Sequence, residues 1–463
     1  MLPAYPRTVI EPLITLLGPD KVSATGHDLE VHSIDKWNFA HRPEVVVFAE
    51  TTQDVSHTLQ FAHALGIPVT TRGAGVGYVG GCVPVQGGIA LSVARMNKIL
   101  EVTPEDGLAV VQPGVITGDL QDAARERGWY YPPDPASLRE CSIGGNIATN
   151  AGGPRCLKYG VTRSYVMALE VVLANGDVLR TGSRCHKNKT GFDLVGLFTG
   201  SEGLLGIITE ATVRLIPHPE QRAMLTATFA TFPEAAHAVQ RILDSGHLPS
   251  ALEITDGFTL RAARNHLGAD ALPDGDAHLI VEIDGRRTAV AAELAELHAL
   301  LAGLGALSVE QHPDPDACEN VWQLRREFSY ALRATGLTKL NEDIVVPRSK
   351  LVDLVEFAGI LQKETGIDIA CFGHAGDGNI HTNLMVADYD DPKVRKRADD
   401  ALDVLFTWLL ANHGVITGEH GVGLAKKKWI REALGETAFV THQALKHTLD
   451  PNNTLNPGKF LDD

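Results

Sequence analysis

Several protein classes are excluded by what the sequence lacks. Its six cysteines, Cys82, Cys141, Cys156, Cys185, Cys318 and Cys371, are scattered, and no two form a C-x-x-C pair. That spacing argues against an iron–sulfur cluster or a zinc knuckle held by this chain. A disulfide framework is not expected at this density either, which fits a reducing compartment. No stretch reaches the roughly 18 apolar residues of a membrane-spanning helix. Met1–Asp20 has no basic segment followed by an apolar one, so no signal peptide is read. The expectation is a cytoplasmic protein, with peripheral attachment to an inner membrane left open. Basic residues are outnumbered, 41 Lys and Arg against 57 Asp and Glu, for a net charge of −16. A nucleic-acid partner would need a basic footprint and is not expected.

What is present is enough for two or three domains in 463 residues. Residues 1–40 read as a helical lead-in. Val45–Ala49 reads as a buried strand, 54–65 as a helix with apolar Val55, Leu59, Ala62 and Leu65, and Ile67–Thr70 as a second strand. Short strands and Gly, Pro and Asn turns follow to about residue 217. Val171–Leu173 and Val178–Leu179 flank Asn175-Gly176, a hairpin signal. Past residue 220, helices are expected over 287–305, 351–365 and 392–413, with strands at His278–Ile283 and Ile367–Phe372. The pattern predicts an α+β chain: a first domain over 1–218, a second, a sheet covered on one face by helices, over 219–449, and a tail over 450–463.

Gly75-x-Gly77-x-x-Gly80 matches the dinucleotide fingerprint, but Gly81, Pro84, Gly87 and Gly88 follow and no helix can form through them. The segment Arg72-Gly73-Ala74-Gly75-Val76-Gly77 reads instead as a nest of inward-pointing amides for a pyrophosphate. A second small-residue stretch, Ser142–Gly153, follows the stiff Tyr131–Ser137 approach. It lets backbone come close to a flat ligand. A third, Gly200–Ile208, ends in a strand. Three such loops describe a large, elongated cofactor.

These stretches resemble the FAD-linked D-2-hydroxy acid dehydrogenases, the glycolate oxidase D subunit and the D-lactate and D-2-hydroxyglutarate dehydrogenases, which carry a flavin fold of the vanillyl-alcohol oxidase type. The resemblance runs through RGAGVG (72–77), PPDPAS (132–137), SIGGNIATNAGG (142–153), KYGVTRSYV (158–166), KNKTGFDL (187–194), GSEGLLGIITEATVRL (200–215), GHAGDGNIH (373–381), GEHG (418–421) and NPGK (456–459). It implies a two-lobed FAD-binding domain followed by a substrate domain with a ferredoxin-like sheet plus helices. FAD would contact Arg72–Gly77, Pro133, Asp134, Ser137, Gly144, Gly145, Asn146, Thr149, Asn150, Gly152, Ile207, Ile208 and Asn456. Val76 and Tyr78 stand where the resemblance leads one to expect Thr and Ser or Leu. That removes one side-chain contact but not the backbone nest. No histidine lies in Arg72–Gly81, so FAD is expected to be held noncovalently.

The second half carries His374 and His381 around Asp377-Gly378. Read as a two-residue type I′ turn, this pair puts the two imidazoles directly opposite each other, with Asn383 facing the same way. Gly418-Glu419-His420-Gly421 follows a short strand, Val415–Thr417, and adds a carboxylate and a third imidazole. Two His and one carboxylate leave open positions on a divalent metal, and such N/O ligands suit zinc, iron, manganese or cobalt. The resemblance implies His374, His381 and Glu419 as ligands and His420 as catalytic acid/base, with Asn383 beside them. A 2-hydroxy acid also needs cations for its carboxylate. The resemblance implies Arg325 and Lys339, while spacing alone leaves Arg326 as a competing choice and Ser329 as a weaker one.

Together these readings predict an FAD-dependent dehydrogenase of a small D-2-hydroxy acid. The alternative is an FAD-carrying subunit of a glycolate oxidase complex, inactive without its partners. The electron acceptor is open among a quinone, a cytochrome, an electron-transfer flavoprotein and a partner subunit. A homodimer is the default assembly.

Overall fold

The computed structural model describes residues 9–37 and 39–461. The first eight residues, where the expected lead-in begins, lie outside the described ones. The chain divides into two compact units. The first holds Met1–Gly152, Val161–His218 and Glu419–Asp463, and the second holds Gly153–Gly160 and Pro219–Gly418.

The first unit opens with helices at Ile10–Leu17 and Gly26–Val31. Four strands, β1 (Val22–Ser23), β2 (Val45–Phe48), β3 (Val69–Arg72) and β4 (Ile89–Ser92), form a sheet in the order β1-β2-β4-β3. The expected strand–helix–strand unit is present as β2, the helix Thr52–Leu65 and β3. Later in the chain β4 inserts between the two strands and pairs parallel with both. The helix starts where it does because Thr51 and Asp54 form a capping box. It ends at Gly66, whose φ of +63° suits a left-handed cap. Its stripe Val55, Leu59 and Ala62 is buried in one cluster with Leu13, Val47, Leu91, Ile207 and Leu455. Burying each of the larger members contributes about 1.5–3 kcal/mol.

The next strands are β5 (Ile99–Thr103), β6 (Leu108–Val111), β7 (Trp129–Tyr130), β8 (Val166–Val172), β9 (Val178–Gly182), β10 (Ile207–Arg214) and β11 (Ile216–Pro217). Five of them build an antiparallel sheet in the order β5-β6-β10-β8-β9, and β7 pairs with β11. The hairpin at Asn175-Gly176 joins β8 to β9, with Val172 opposite Val178 and Gly176 at φ +87°. One segment differs from expectation. Ser142–Gly153 is not loop throughout: Ile143–Thr149 is a helix, capped where the Ser142 side chain accepts the Gly145 N–H and closed by Asn150 at φ +52°. The cap and the buried Ile143 and Ile147 outweigh the low helix propensity of the paired glycines.

The second unit is built on seven strands: β12 (Gln221–Phe229), β13 (Ala251–Asp256), β14 (Ala277–Gly285), β15 (Ser308–His312), β16 (Thr338–Val345), β17 (Asp368–His374) and β18 (Asn379–Val386). They pair antiparallel in the order β15-β12-β14-β13-β17-β18-β16. Helices run over Arg287–Gly303, Leu351–Thr365 and Pro392–Ala411, in place with the reading from periodicity. The turn between β17 and β18 corrects the expected two-residue form. It spans four residues, Ala375–Gly378, so His374 stands opposite Asn379 and His381 opposite Phe372. Gly378 holds the turn at φ +85°, where its N–H donates to Ala375 and its carbonyl accepts from Val346. The expected strand at Val415–Thr417 is reduced to one bridge, Val415 to Val345.

Candidate active site

In the second unit, strand register decides which side chains share a face, because neighbours along a strand alternate. Glu253 lies opposite His374, Asp343 and Phe372 lie opposite His381, and Asn341 and Ala370 lie opposite Asn383. Lys339 is two further along β16 from Asn341. All of these therefore point from one face of the sheet. The corrected turn moves His374 to a diagonal position from His381 but keeps both on that face. Their ring centroids are 5.6 Å apart in an edge-to-face arrangement, and both residues are buried.

The helix Pro315–Ala334 lies against this face. Its buried stripe is Cys318, Trp322, Arg325, Phe328 and Leu332, at helical spacing. Phe328 and Leu332 pack with Ala370, Phe372 and Met385. That periodicity gives the two arginines that spacing left open different surroundings. Arg325 is buried, with its guanidinium 4.7 Å over the Phe372 ring. Arg326 is partly exposed and pairs with Glu319 on its own helix.

Glu253 is the residue the sequence did not single out. One carboxylate oxygen meets His374 Nδ1 at 2.5 Å, and the other accepts from Arg325 Nε at 2.9 Å. Burial alone would raise its carboxyl pKa. The charges of His374 and Arg325 outweigh that and hold it down at about 2. A carboxylate on Nδ1 fixes the ring and its tautomer and would leave Nε2 to any metal, the usual support of a metal-bound imidazole. The signal that could have found it is an acidic residue in the otherwise apolar run Ala251–Ile254.

Lys339 Nζ donates to Ser329 Oγ at 2.8 Å, which brings the weaker candidate beside the stronger one. Burial, then the charges of Arg333 and Arg325, lower the Lys339 pKa to about 8. Asn383 is fully buried. Its amide nitrogen donates to the Ala370 and His381 carbonyls, and its Oδ1 has no hydrogen-bond partner among the described residues. Asn341 Oδ1, across the strand pair, is in the same state. Two imidazoles, a supporting carboxylate and unsatisfied amide oxygens fit a divalent cation and an oxygen-rich ligand.

In the first unit, the Gly-rich loop follows β3. From Ala74 to Tyr78 no amide N–H donates a hydrogen bond among the described residues. Gly75 sits at φ +71°, and a Cβ there would meet the Arg72 guanidinium. The Arg72 guanidinium thus lies beside Gly75, and its Nη1 donates to Ile34 O at 2.7 Å. A Cβ on Gly73 would come within 2.5 Å of Ser142 Oγ, so the loop sits against the capped end of the helix Ile143–Thr149. Thr71 Oγ1 and Asn456 Oδ1 are buried without hydrogen-bond partners among the described residues. Unengaged amides and orphaned oxygens around a glycine cradle fit the diphosphate and polyol of FAD.

Other expected FAD contacts have structural duties. Asn146 Nδ2 donates to Thr117, Thr149 Oγ1 to Gly145 O, and Asn150 Oδ1 accepts from Arg163 N–H. Their backbones, with Gly144, Gly145 and Gly152, remain the surface they offer. Ile207 and Ile208 are buried in β10. Gln121 donates to the Tyr131 and Pro133 carbonyls and holds the Pro133–Ser137 approach, where Asp134 is buried. Asn456 Nδ2 reaches the Gly81 and Glu202 carbonyls. Glu419 Oε1 lies 3.5 Å from His420 Nε2, and the His420 ring stacks on Tyr78 with centroids 5.2 Å apart.

Comparison with known proteins finds two family matches along the chain. Residues 43–182 match the FAD binding domain, and residues 218–460 match the C-terminal domain of FAD linked oxidases. The glycolate oxidase subunit GlcD of Bacillus subtilis is 37% identical, covering 98% of this chain and 97% of the relative. D-lactate dehydrogenase of Anaerostipes hadrus is 33% identical, covering 90% of each. The fold matches the crystal structure of p-cresol methylhydroxylase with substrate bound, at TM-score 0.81 and 22% identity over 98% of this chain and 96% of that one. This chain belongs to the family of FAD-linked oxidases.

Proposed function

We infer that this protein is an FAD-dependent dehydrogenase that oxidises a small D-2-hydroxy acid, such as D-lactate, glycolate or D-2-hydroxyglutarate, to the 2-oxo acid. The observation that carries the reading is the shared face of Glu253, Arg325, His374, His381, Asn383 and Lys339. It combines metal-ligating imidazoles with cations, which is what a vicinal hydroxyl and carboxylate call for. The names of the relatives point the same way.

FAD, when bound, supplies the hydride acceptor. A divalent metal, zinc, iron or manganese, would supply Lewis acidity toward the substrate hydroxyl. His374 and His381 would hold it, with Glu419 entering as third ligand from the sequence reading alone. Arg325 is partly neutralised by Glu253, so Lys339 carries most of the net charge that faces the substrate carboxylate. Asn383 Oδ1 would accept a hydrogen bond from the substrate. His420 takes the hydroxyl proton on a ring nitrogen as the C2 hydrogen leaves. With no histidine in Arg72–Gly81, the flavin is held noncovalently.

Turnover of the three acids with an artificial electron acceptor tests the reading. No activity with any D-2-hydroxy acid above that of chelator-treated protein would count against it. The relative's name, a subunit, favours one second reading, that this chain passes electrons on only within a complex.

A further inference from the structure

His420 stands in a turn half of whose residues are glycine, Gly418-Glu419-His420-Gly421-Val422-Gly423. Such a turn has little stiffness of its own, yet a proton-transferring imidazole must be held to within a fraction of an ångström. The Gly418 N–H donates to Asp343 Oδ2 at 2.9 Å, and past His420 the turn is held by Glu202. Its Oε1 accepts the Val422 N–H at 2.8 Å and its Oε2 accepts the Gly423 N–H at 2.8 Å. The next two amides, Leu424 and Ala425, donate to the Val79 carbonyl, one residue after the Tyr78 ring that stacks on His420.

Glu202 is itself held in an unusual way. Its φ is +49°, one of few non-glycine residues in the left-handed region among the described ones. Its N–H donates to Ala148 O in the helix Ile143–Thr149, and its carbonyl accepts from Asn456 Nδ2. Burial raises its carboxyl pKa, against which the two amides and the charges of Lys459 and Lys426 act. A part-buried carboxylate in a strained backbone, spent on two consecutive amides, is costly to keep without a task.

The geometry points to Glu202 as the positioning residue for His420: its carboxylate clamps the Val422 and Gly423 amides and so fixes the imidazole for proton transfer. This rests on the reading of His420 as the base. Glu202→Gln keeps one acceptor oxygen but turns an NH2 toward the other amide, so the clamp opens on one side.

The test is a double-mutant cycle on the FAD-loaded, metal-replete protein. Flavin reduction is followed by stopped flow at saturating D-2-hydroxy acid. Glu202→Gln is expected to slow reduction by about 10- to 100-fold with KM little changed. In the His420→Ala background the same substitution should add less than about twofold. Equal slowing in both backgrounds, or none in the wild type, overturns the clamp. A near-normal rate in His420→Ala alone overturns the base assignment instead, and so separates the two failures. If Glu202→Gln fails to retain FAD, Gly421→Ala disturbs the same contact from the other side. A Cβ there lies 2.9 Å from Glu202 Oε1 at φ +84°, and the same cycle applies.

Discussion

Glu253 and His374 face each other across the paired strands β13 and β17, carboxylate oxygen to Nδ1. Both side chains are almost wholly removed from solvent. The pair would make His374 a one-directional ligand of the proposed metal. Glu253→Gln is therefore expected to weaken metal affinity by about 10- to 100-fold, as loss of such supporting carboxylates does. Metal content after dialysis against graded chelator measures it. Unchanged retention would mean that His374 does not ligate.

Chelation should act on turnover and not on the flavin. Metal-stripped protein is expected to keep its FAD, because the nest and the orphaned Thr71 and Asn456 oxygens belong to the first unit. Turnover should return on adding zinc, manganese or ferrous iron. Loss of the visible flavin band on chelation would contradict that separation.

Lys339 sets a pH limit. Its pKa in the fold, about 8, lies below the ordinary lysine value of 10.5. Below that pKa the ammonium is charged and available to the substrate carboxylate, and above it the charge is lost. kcat/KM is expected to fall as pH rises through about 8. Lys339→Arg, which stays charged, should shift the limb upward. Lys339→Met should raise KM by about tenfold or more at pH 7. An identical alkaline limb in Lys339→Arg would assign it elsewhere.

His420→Ala is expected to bind FAD and metal and to lose about 100- to 10,000-fold in turnover, the usual range for a general base. Flavin absorbance and metal content, measured on the same sample, keep this apart from a folding defect.

Gly75→Ala probes the nest. The left-handed φ costs about 1–2 kcal/mol for a residue with a side chain, before any clash with Arg72. The purified variant should carry less FAD per chain, read as the ratio of flavin to protein absorbance. Full occupancy would remove the Arg72–Gly77 loop from the cofactor site.

Much of this was readable from the chain. The helix at Thr52–Leu65 and the hairpin at Asn175-Gly176 follow from local rules, a 3.6-residue stripe and a turn dipeptide. The histidine pair was legible as residues and as a shared face. Its register was not, because Gly376 joins the turn through contacts with Leu252 and Leu157 that no local rule contains. The helix Ile143–Thr149 escaped because Gly144 and Gly145 argue against helix, and only burial of Ile143 and Ile147 overrides them. Glu253 and Glu202 escaped for a shared reason. A lone acidic residue reads as solvated surface until its distant partners are known, 121 residues away for His374 and 220 for Val422.

The central claim is oxidation of a D-2-hydroxy acid by the flavin of this chain. Its most direct test is the visible spectrum of the purified, FAD-loaded protein under anaerobic conditions, before and after D-lactate, D-2-hydroxyglutarate or glycolate. The account predicts that at least one bleaches the flavin band without any partner protein, and that for a chiral acid only the D-form does so. A flavin band that none of them bleaches would contradict it.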